Sequence, residues 1–269
     1  MENDKRIAVL IDADNVSDKY IKYIFDEISN HGTPTYKRIY GDWTKPQLSS
    51  WKVVLLNYSI SPIQQYSYTT GKNATDAALI IDAMDILYSH NVDGFCIVSS
   101  DSDFTRLASR LREAGMYVVG MGEKKTPAPF KASCEKFKYL EVLAEMPEST
   151  TDASDSKSAG SKAIQKESMA KINEITNFIQ KIINDISNED GWAHLGEIGN
   201  RLAKRYPDFD ARNYGHSKLS QLIKSLNQFE LQKKPDLNYI LVRNKPAAKP
   251  AVKHAAKPAA RAAKKTKEV

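Results

Sequence analysis

Two apolar runs, each followed by an acid, constrain this chain more than any other feature. Ile7-Ala-Val-Leu-Ile11 runs into Asp12, and Phe95-Cys-Ile-Val98 runs through Ser99-Ser100 into Asp101. A strand that is apolar at every position is buried on both faces, as in a parallel sheet covered by helices. Stretches with helical spacing alternate with these runs. Lys19–Ser29 carries Ile21, Ile24, Phe25 and Ile28, and Pro46–Asn57 opens with proline in its first turn. Ala74–Tyr88 places Ala77, Ile80, Ile81, Met84 and Leu87 or Tyr88 on one face, and Phe104–Ala114 is stopped by Gly115. Further strands are expected over Thr35–Tyr40, Ile63–Tyr68, Gly94–Ser99 and Met116–Met121, with Phe137–Val142 closing the sheet. The pattern predicts an α/β fold: an open parallel sheet flanked by helices over residues 1–146.

Residues 147–165 are Ser-rich and nearly free of apolar side chains, the composition of a flexible linker. Helical spacing returns at Ile172, Ile175, Phe178, Ile179 and Ile182, then at Leu195–Tyr206 and Leu219–Leu226. Phe229–Gln232 and Tyr239–Val242 form a hairpin pattern, so 166–244 reads as three helices and a hairpin, the outline of a small winged helix-turn-helix domain. Residues 245–269 repeat Lys, Pro and Ala and have too little apolar area to fold, so a disordered basic tail is expected.

The net charge of +6 is unevenly divided: residues 1–148 balance at −3, residues 149–244 at +2 and the tail at +7. A cationic tail suits a polyanion, whereas the acids of the front domain need another explanation. A mean hydropathy of −0.50 and the lack of an apolar run near membrane length argue against a spanning helix. Met1–Arg6 does not resemble a signal peptide, and two cysteines, Cys96 and Cys134, make no disulfide framework, so a cytoplasmic location is expected.

Sites in open parallel sheets form beyond the carboxyl ends of the strands. Asp12, Asp14 and Asn15 follow the first strand, Asp101 and Asp103 follow the strand ending near Ser99, and Asp76 opens the longest helix. Carboxylates brought that close repel unless a cation sits among them, and a hard divalent ion such as Mg²⁺ fits that donor set. The same residues also have structural readings. Asp14 suits a turn, Asp103 a helix N-cap, and Asp76 a first helical turn that favours an acid. Asp82 and Asp85 read as a solvated face.

Val9-Leu-Ile-Asp-Ala-Asp-Asn15, Gly71-Lys-Asn-Ala-Thr-Asp through Met84, Val98-Ser-Ser-Asp-Ser-Asp through Leu107, and Cys134–Glu141 together resemble the signatures of the NYN domain family of PIN-like ribonucleases. The resemblance implies a metal-dependent nuclease using Mg²⁺ or Mn²⁺. Asp12, Asp76, Asp101 and Asp103 would form the acidic metal site and Asn15 would be a polar neighbour. Asp12, Asp76 and Asp101 would hold the ion, and Asp103 would orient water or a second ion. Asn73-Ala74 departs from the family pattern and leaves the geometry of that loop open. Gly191–Gly199, Tyr206–Ile223 and Phe229–Leu231 are similar to the OST-HTH, or LOTUS, family of winged-helix domains. That resemblance implies binding of RNA, G-rich or structured, with some members taking protein partners instead. Arg212, His216, Lys218 and Lys224 at the third helix and Lys233 and Lys234 on the wing are the candidate RNA contacts. Trp192, Phe209, Tyr214 and Leu219 read as core. The oligomeric state is open; a homodimer would let the flexible linker present two such modules.

Together these expectations describe a ribonuclease that cuts RNA internally and is targeted by its rear domain and tail. A non-catalytic RNA-binding regulator is the rival from a different class. A haloacid-dehalogenase-like phosphatase, suggested by Asp12-Ala-Asp-Asn-Val16, leaves the Gly71–Met84 block unexplained. The Walker pattern fails around Gly71-Lys72, Gly120-Met-Gly122 lacks a third glycine, and the histidines and cysteines have no zinc spacing.

Overall fold

The computed structural model describes residues 4–66, 73–145, 162–234 and 239–245. The front half is built as β1 (Arg6–Asp12), α1 (Ile21–Ile28), β2 (Thr33–Gly41), α2 (Trp51–Tyr58), β3 (Ser61–Gln64), α3 (Ala74–Ser89), β4 (Gly94–Val98), α4 (Thr105–Glu113), β5 (Tyr117–Gly122), α5 (Ala128–Ser133), β6 (Lys136–Tyr139) and α6 (Leu140–Ala144). All six strands pair in parallel, in the order β3-β2-β1-β4-β5-β6.

Period-two alternation explains why β1 is apolar throughout. Ile7, Val9 and Ile11 point to one face and pack with Ile21, Ile24 and Ile28 of α1, Trp51 of α2 and Leu140 and Leu143 of α6. Ala8 and Leu10 point to the other face and meet Leu79, Ala83 and Ile86 of α3, Leu107 and Leu111 of α4 and Phe130 of α5. Each face therefore has its own helical layer.

The structure differs from the sequence expectations in several elements. α3 buries Leu79, Ala83, Ile86 and Leu87, while Ile81 and Tyr88 are 63% and 64% exposed. The helix is apolar nearly all round, so spacing alone does not choose its inner face. The last strand ends at Tyr139, and Leu140–Ala144 turns into α6, because Leu140 and Leu143 complete the layer over β1. α5 was not anticipated: Pro127-Ala-Pro resembles a loop, but Pro129 sits in the first turn of a short helix, where its missing N–H costs nothing. β3 begins at Ser61, before the expected Ile63; Ser67 and Tyr68 lie outside the described residues.

The rear domain comprises α7 (Lys162–Ile186), β7 (Ala193–His194), α8 (Leu195–Arg205), α9 (Leu219–Ser225), β8 (Phe229–Lys234) and β9 (Tyr239–Asn244). Its antiparallel sheet runs β7-β9-β8, so the expected hairpin gains the short strand β7. Ile179, Ile182 and Ile183 of α7, Ile198 and Leu202 of α8, Ile223 of α9 and Val242 of β9 form its core. Phe209, Tyr214 and Leu219 pack against that core as expected, whereas Trp192 is half-buried under the Arg243 guanidinium, 4.6 Å from its ring centre. The tail and most of the expected linker lie outside the described residues. Among the described residues, no helix is long and apolar enough to cross a membrane.

The segment between α8 and α9 docks on the front domain. The Phe137 N–H of β6 donates to the Pro207 carbonyl at 2.8 Å. The Tyr139 hydroxyl donates to Asp208 at 2.7 Å, and Lys131 approaches the same carboxylate at 3.5 Å. Lys138 pairs with Asp210 at 2.7 Å and with Glu27 at 3.2 Å, while Arg212 pairs with Asp210 at 2.7 Å and with Glu27 at 3.3 Å. Two acids and two cations, one of each from either domain, thus alternate across the junction.

Candidate active site at the carboxyl edge of the sheet

The chain runs outward from β1 through β2 to β3, then crosses back through α3 to place β4 on the other side of β1. The carboxyl ends of β1 and β4 therefore flank the topological switch point of the sheet, where open α/β folds leave a crevice. Ile11 stands opposite Val98 in that register, so Asp12 and Ser99 emerge side by side.

Asp12 is fully buried. Its Oδ2 accepts hydrogen bonds from Ser99 Oγ at 2.7 Å and Asn15 Nδ2 at 2.8 Å, and its Oδ1 accepts the Asp14 N–H at 3.0 Å. Burial pushes the Asp12 carboxyl up from its ordinary range, and these hydrogen bonds pull against that rise. Ser99 Oγ also accepts the Asp101 N–H at 3.1 Å, and Asp101 Oδ1 in turn caps the next turn by accepting the Asp103 N–H at 2.9 Å. A single hydrogen-bonded chain thereby fixes the loop after β4 to the end of β1.

Asp76 reaches the same place from the first turn of α3. One carboxylate oxygen from each of Asp76, Asp101 and Asp103 lies within 4.8 Å of the others. The Asp76 carboxyl is pushed up to about 6, first by burial and then by the charges of Asp12, Asp101, Asp103 and Asp14. Among the described residues, no lysine or arginine pairs with the three clustered acids; Lys45, 3.3 Å from Asp14, is taken by that neighbour. Three hard oxygen donors, mutually repelling and without a side-chain counter-charge among the described residues, are a donor set that Mg²⁺ or Mn²⁺ fits. Asp12 lies behind this group, and its charge acts on Asp76.

Ser99, Ser100 and Asn73, to which the sequence assigns no site role, hold the surroundings of the cluster in place. Ser99 joins Asp12 to Asp101, Ser100 Oγ accepts the Glu123 N–H at 2.9 Å, and Asn73 Nδ2 donates to Asp103. The signal was the Ser-Ser pair directly before Asp101. Asn73, the departure noted in the sequence, holds an acid of the cluster. Asp82 was read as solvated, yet it accepts from both Arg38 and the Tyr40 hydroxyl, because the rotated face of α3 turns it toward β2. A cleft of about 530 Å³ adjoins Asn15 and is lined by Asp14, Asp18, Lys45, Trp51 and Lys125 among others.

The rear-domain candidates divide. Lys218, Lys224 and Lys233 are exposed, and His216 Nε2 is 3.0 Å from Ser225 Oγ. The Lys234 side chain lies outside the described residues. Arg212 does not join them on the open surface. Its side chain is 19% exposed and engaged by Glu27 and Asp210, so it serves the junction. The Asp208-x-Asp210-x-Arg212 alternation carried that signal, but the acceptor Glu27 lies far away in sequence.

Comparison with known proteins agrees with this architecture. The NYN domain family model matches residues 6–141, half of the chain. The chain belongs to the NYN domain family. Residues 170–241 match the OST-HTH/LOTUS domain model. Both domains support a ribonuclease or RNA-binding role. A crystal structure of a protein of unknown function from Vibrio parahaemolyticus is similar at 18% identity and a TM-score of 0.43, covering 51% of this chain and 93% of that one. No curated protein matches the chain.

Proposed function

We propose that this NYN protein is a divalent-cation-dependent ribonuclease that hydrolyses RNA phosphodiester bonds within the chain. Convergence of Asp76, Asp101 and Asp103 from two segments, with the Asp76 carboxyl pushed up to about 6 by burial and by the charges around it, is the observation that carries this reading. These three acids would hold Mg²⁺ or Mn²⁺. Such an ion supplies neutralisation of phosphate charge and a more acidic water.

The chain's own residues set the stage for that chemistry. Asp12 and Ser99 fix the Asp101 loop from below, so the Asp101 carboxylate is positioned before any ligand arrives. Asn73 donates to Asp103 Oδ2 and so fixes the orientation of that carboxylate. Lys218, Lys224, Lys233 and the basic tail are assigned to RNA retention through phosphate contacts.

The test is cleavage of labelled RNA with Mg²⁺, Mn²⁺ or EDTA, using wild type and Asp101→Asn. Cleavage should require the ion and fall about 100-fold or more in the variant, the scale of losing one charge-stabilising group. Undiminished cleavage by Asp101→Asn refutes the assignment. RNA binding without cleavage under any ion would instead favour the non-catalytic regulator.

A further inference from the structure

The docked domains enclose a second cleft of about 480 Å³, away from the acids. Arg112, Cys134 and Glu135 line it from the front domain, and Lys204, Arg205 and Pro207 line it from the rear domain. Its volume falls within the ~300–1,000 Å³ of ordinary ligand sites. Three of its side chains are cations and one is an acid. The cations that bind across the junction, Lys131, Lys138 and Arg212, are each paired with acids. Arg112, Lys204 and Arg205 enter no ion pair among the described residues. Arg112 is held loosely over the backbone, its Nη1 3.5 Å from the Ser133 and Cys134 carbonyls, and Arg205 lies over the Tyr206 ring.

The geometry points to this cleft as a phosphate-binding site for the RNA backbone, built jointly by the two domains. Like charges gathered on a concave wall repel until an anion joins them. Two guanidinium groups offer the forked donor geometry that phosphate oxygens accept. Arg112 lies in the last turn of α4, and that helix starts just beyond Asp103. Nine residues of helical rise separate Asp103 from Arg112, on the order of 13 Å, so one RNA strand can meet both places. The junction ion pairs hold Lys204 and Arg205 opposite Arg112, which makes the site a product of docking. This inference rests on the proposed RNA substrate and adds where the flanking backbone is held.

The test uses the full chain in EDTA with a labelled single-stranded RNA, with affinity followed by anisotropy across a salt series. Arg112→Ala alone and Lys204→Ala/Arg205→Ala together should each weaken binding. The triple variant should lower the salt slope by about two, since each phosphate contact on a single strand contributes about 0.7. Glu135→Gln, which removes the one acid and no cation, should tighten binding. A triple variant with wild-type affinity and slope overturns the cleft while leaving the nuclease reading intact. An effect from the rear-domain pair but not from Arg112 overturns its joint construction. Wild type that binds no RNA at all in EDTA overturns the cleft, while the nuclease reading is decided by the cleavage assay with Mg²⁺ or Mn²⁺.

Discussion

The acids at the carboxyl edge of the sheet and those at the domain junction are the same chemical groups in opposite circumstances. Asp76 faces other carboxylates and is pushed up to about 6. Glu27 is buried too, but Lys138, Arg212 and His31 surround it and hold it down at about 2. The His31 ring stands on the same side, its Nε2 3.4 Å from Glu27 Oε1. Burial raises both carboxyls, so the neighbours decide the sign. Where evenly matched charges meet, the group holds structure together. Where like charges accumulate, the fold bears a cost that a ligand can relieve.

The sharpest way to break this contrast is to remove the junction acid. Glu27→Ala leaves Lys138 and Arg212 sharing Asp210, and loss of one member of a buried ion network costs about 3–5 kcal/mol. Chemical denaturation should show that loss, and small-angle scattering should show the domains separating. A loss below about 1 kcal/mol would mean that the junction is solvated and weak.

The acid cluster should respond in the opposite direction. Asp76→Asn should abolish cation-dependent cleavage yet stabilise the metal-free protein at pH 8, on the order of 1 kcal/mol after solvent screening. The pH dependence follows the same signs. Asp76 takes up its proton near 6 when folded and near 3.8 when unfolded, so the metal-free fold gains stability as pH falls from 7 through that window. Glu27 contributes fully above about 4.5, and its contribution is lost as pH falls toward 2. Thermal unfolding in EDTA should therefore improve between pH 7 and 5 and collapse at lower pH, with Asp76→Asn flattening the first limb only. An unchanged first limb in that variant would separate the effect from Asp76.

The smallest expected effect serves as the control. Arg201 pairs with Glu197 one turn away on α8, both half-exposed, so Arg201→Ala should cost no more than about 0.5 kcal/mol. A larger loss would show that charge removal anywhere in the rear domain is disruptive.

The sequence disclosed the sheet because β1 and β4 are apolar at every position, a pattern with few other homes. It disclosed the acids because each ends a strand or begins a helix. It did not disclose the inner face of α3, where apolar residues all round leave the choice to packing. Nor did it disclose the support of the cluster by Ser99 and Asn73, which are ordinary polar residues until the topology brings three segments together. Arg212 looked like an RNA contact because it lies near the third helix. Its partner Glu27 is 185 residues away, a pairing that local spacing does not encode.

The bond from Phe137 to Pro207 has a consequence for solubility. β6 is the outermost strand on its side, and such a border can recruit strands from other molecules. Here a neighbouring segment already occupies the Phe137 donor, and that segment offers proline, which has no amide hydrogen with which to continue a ladder. The rear domain thus blocks strand addition at Phe137, a duty separate from its proposed contact with RNA.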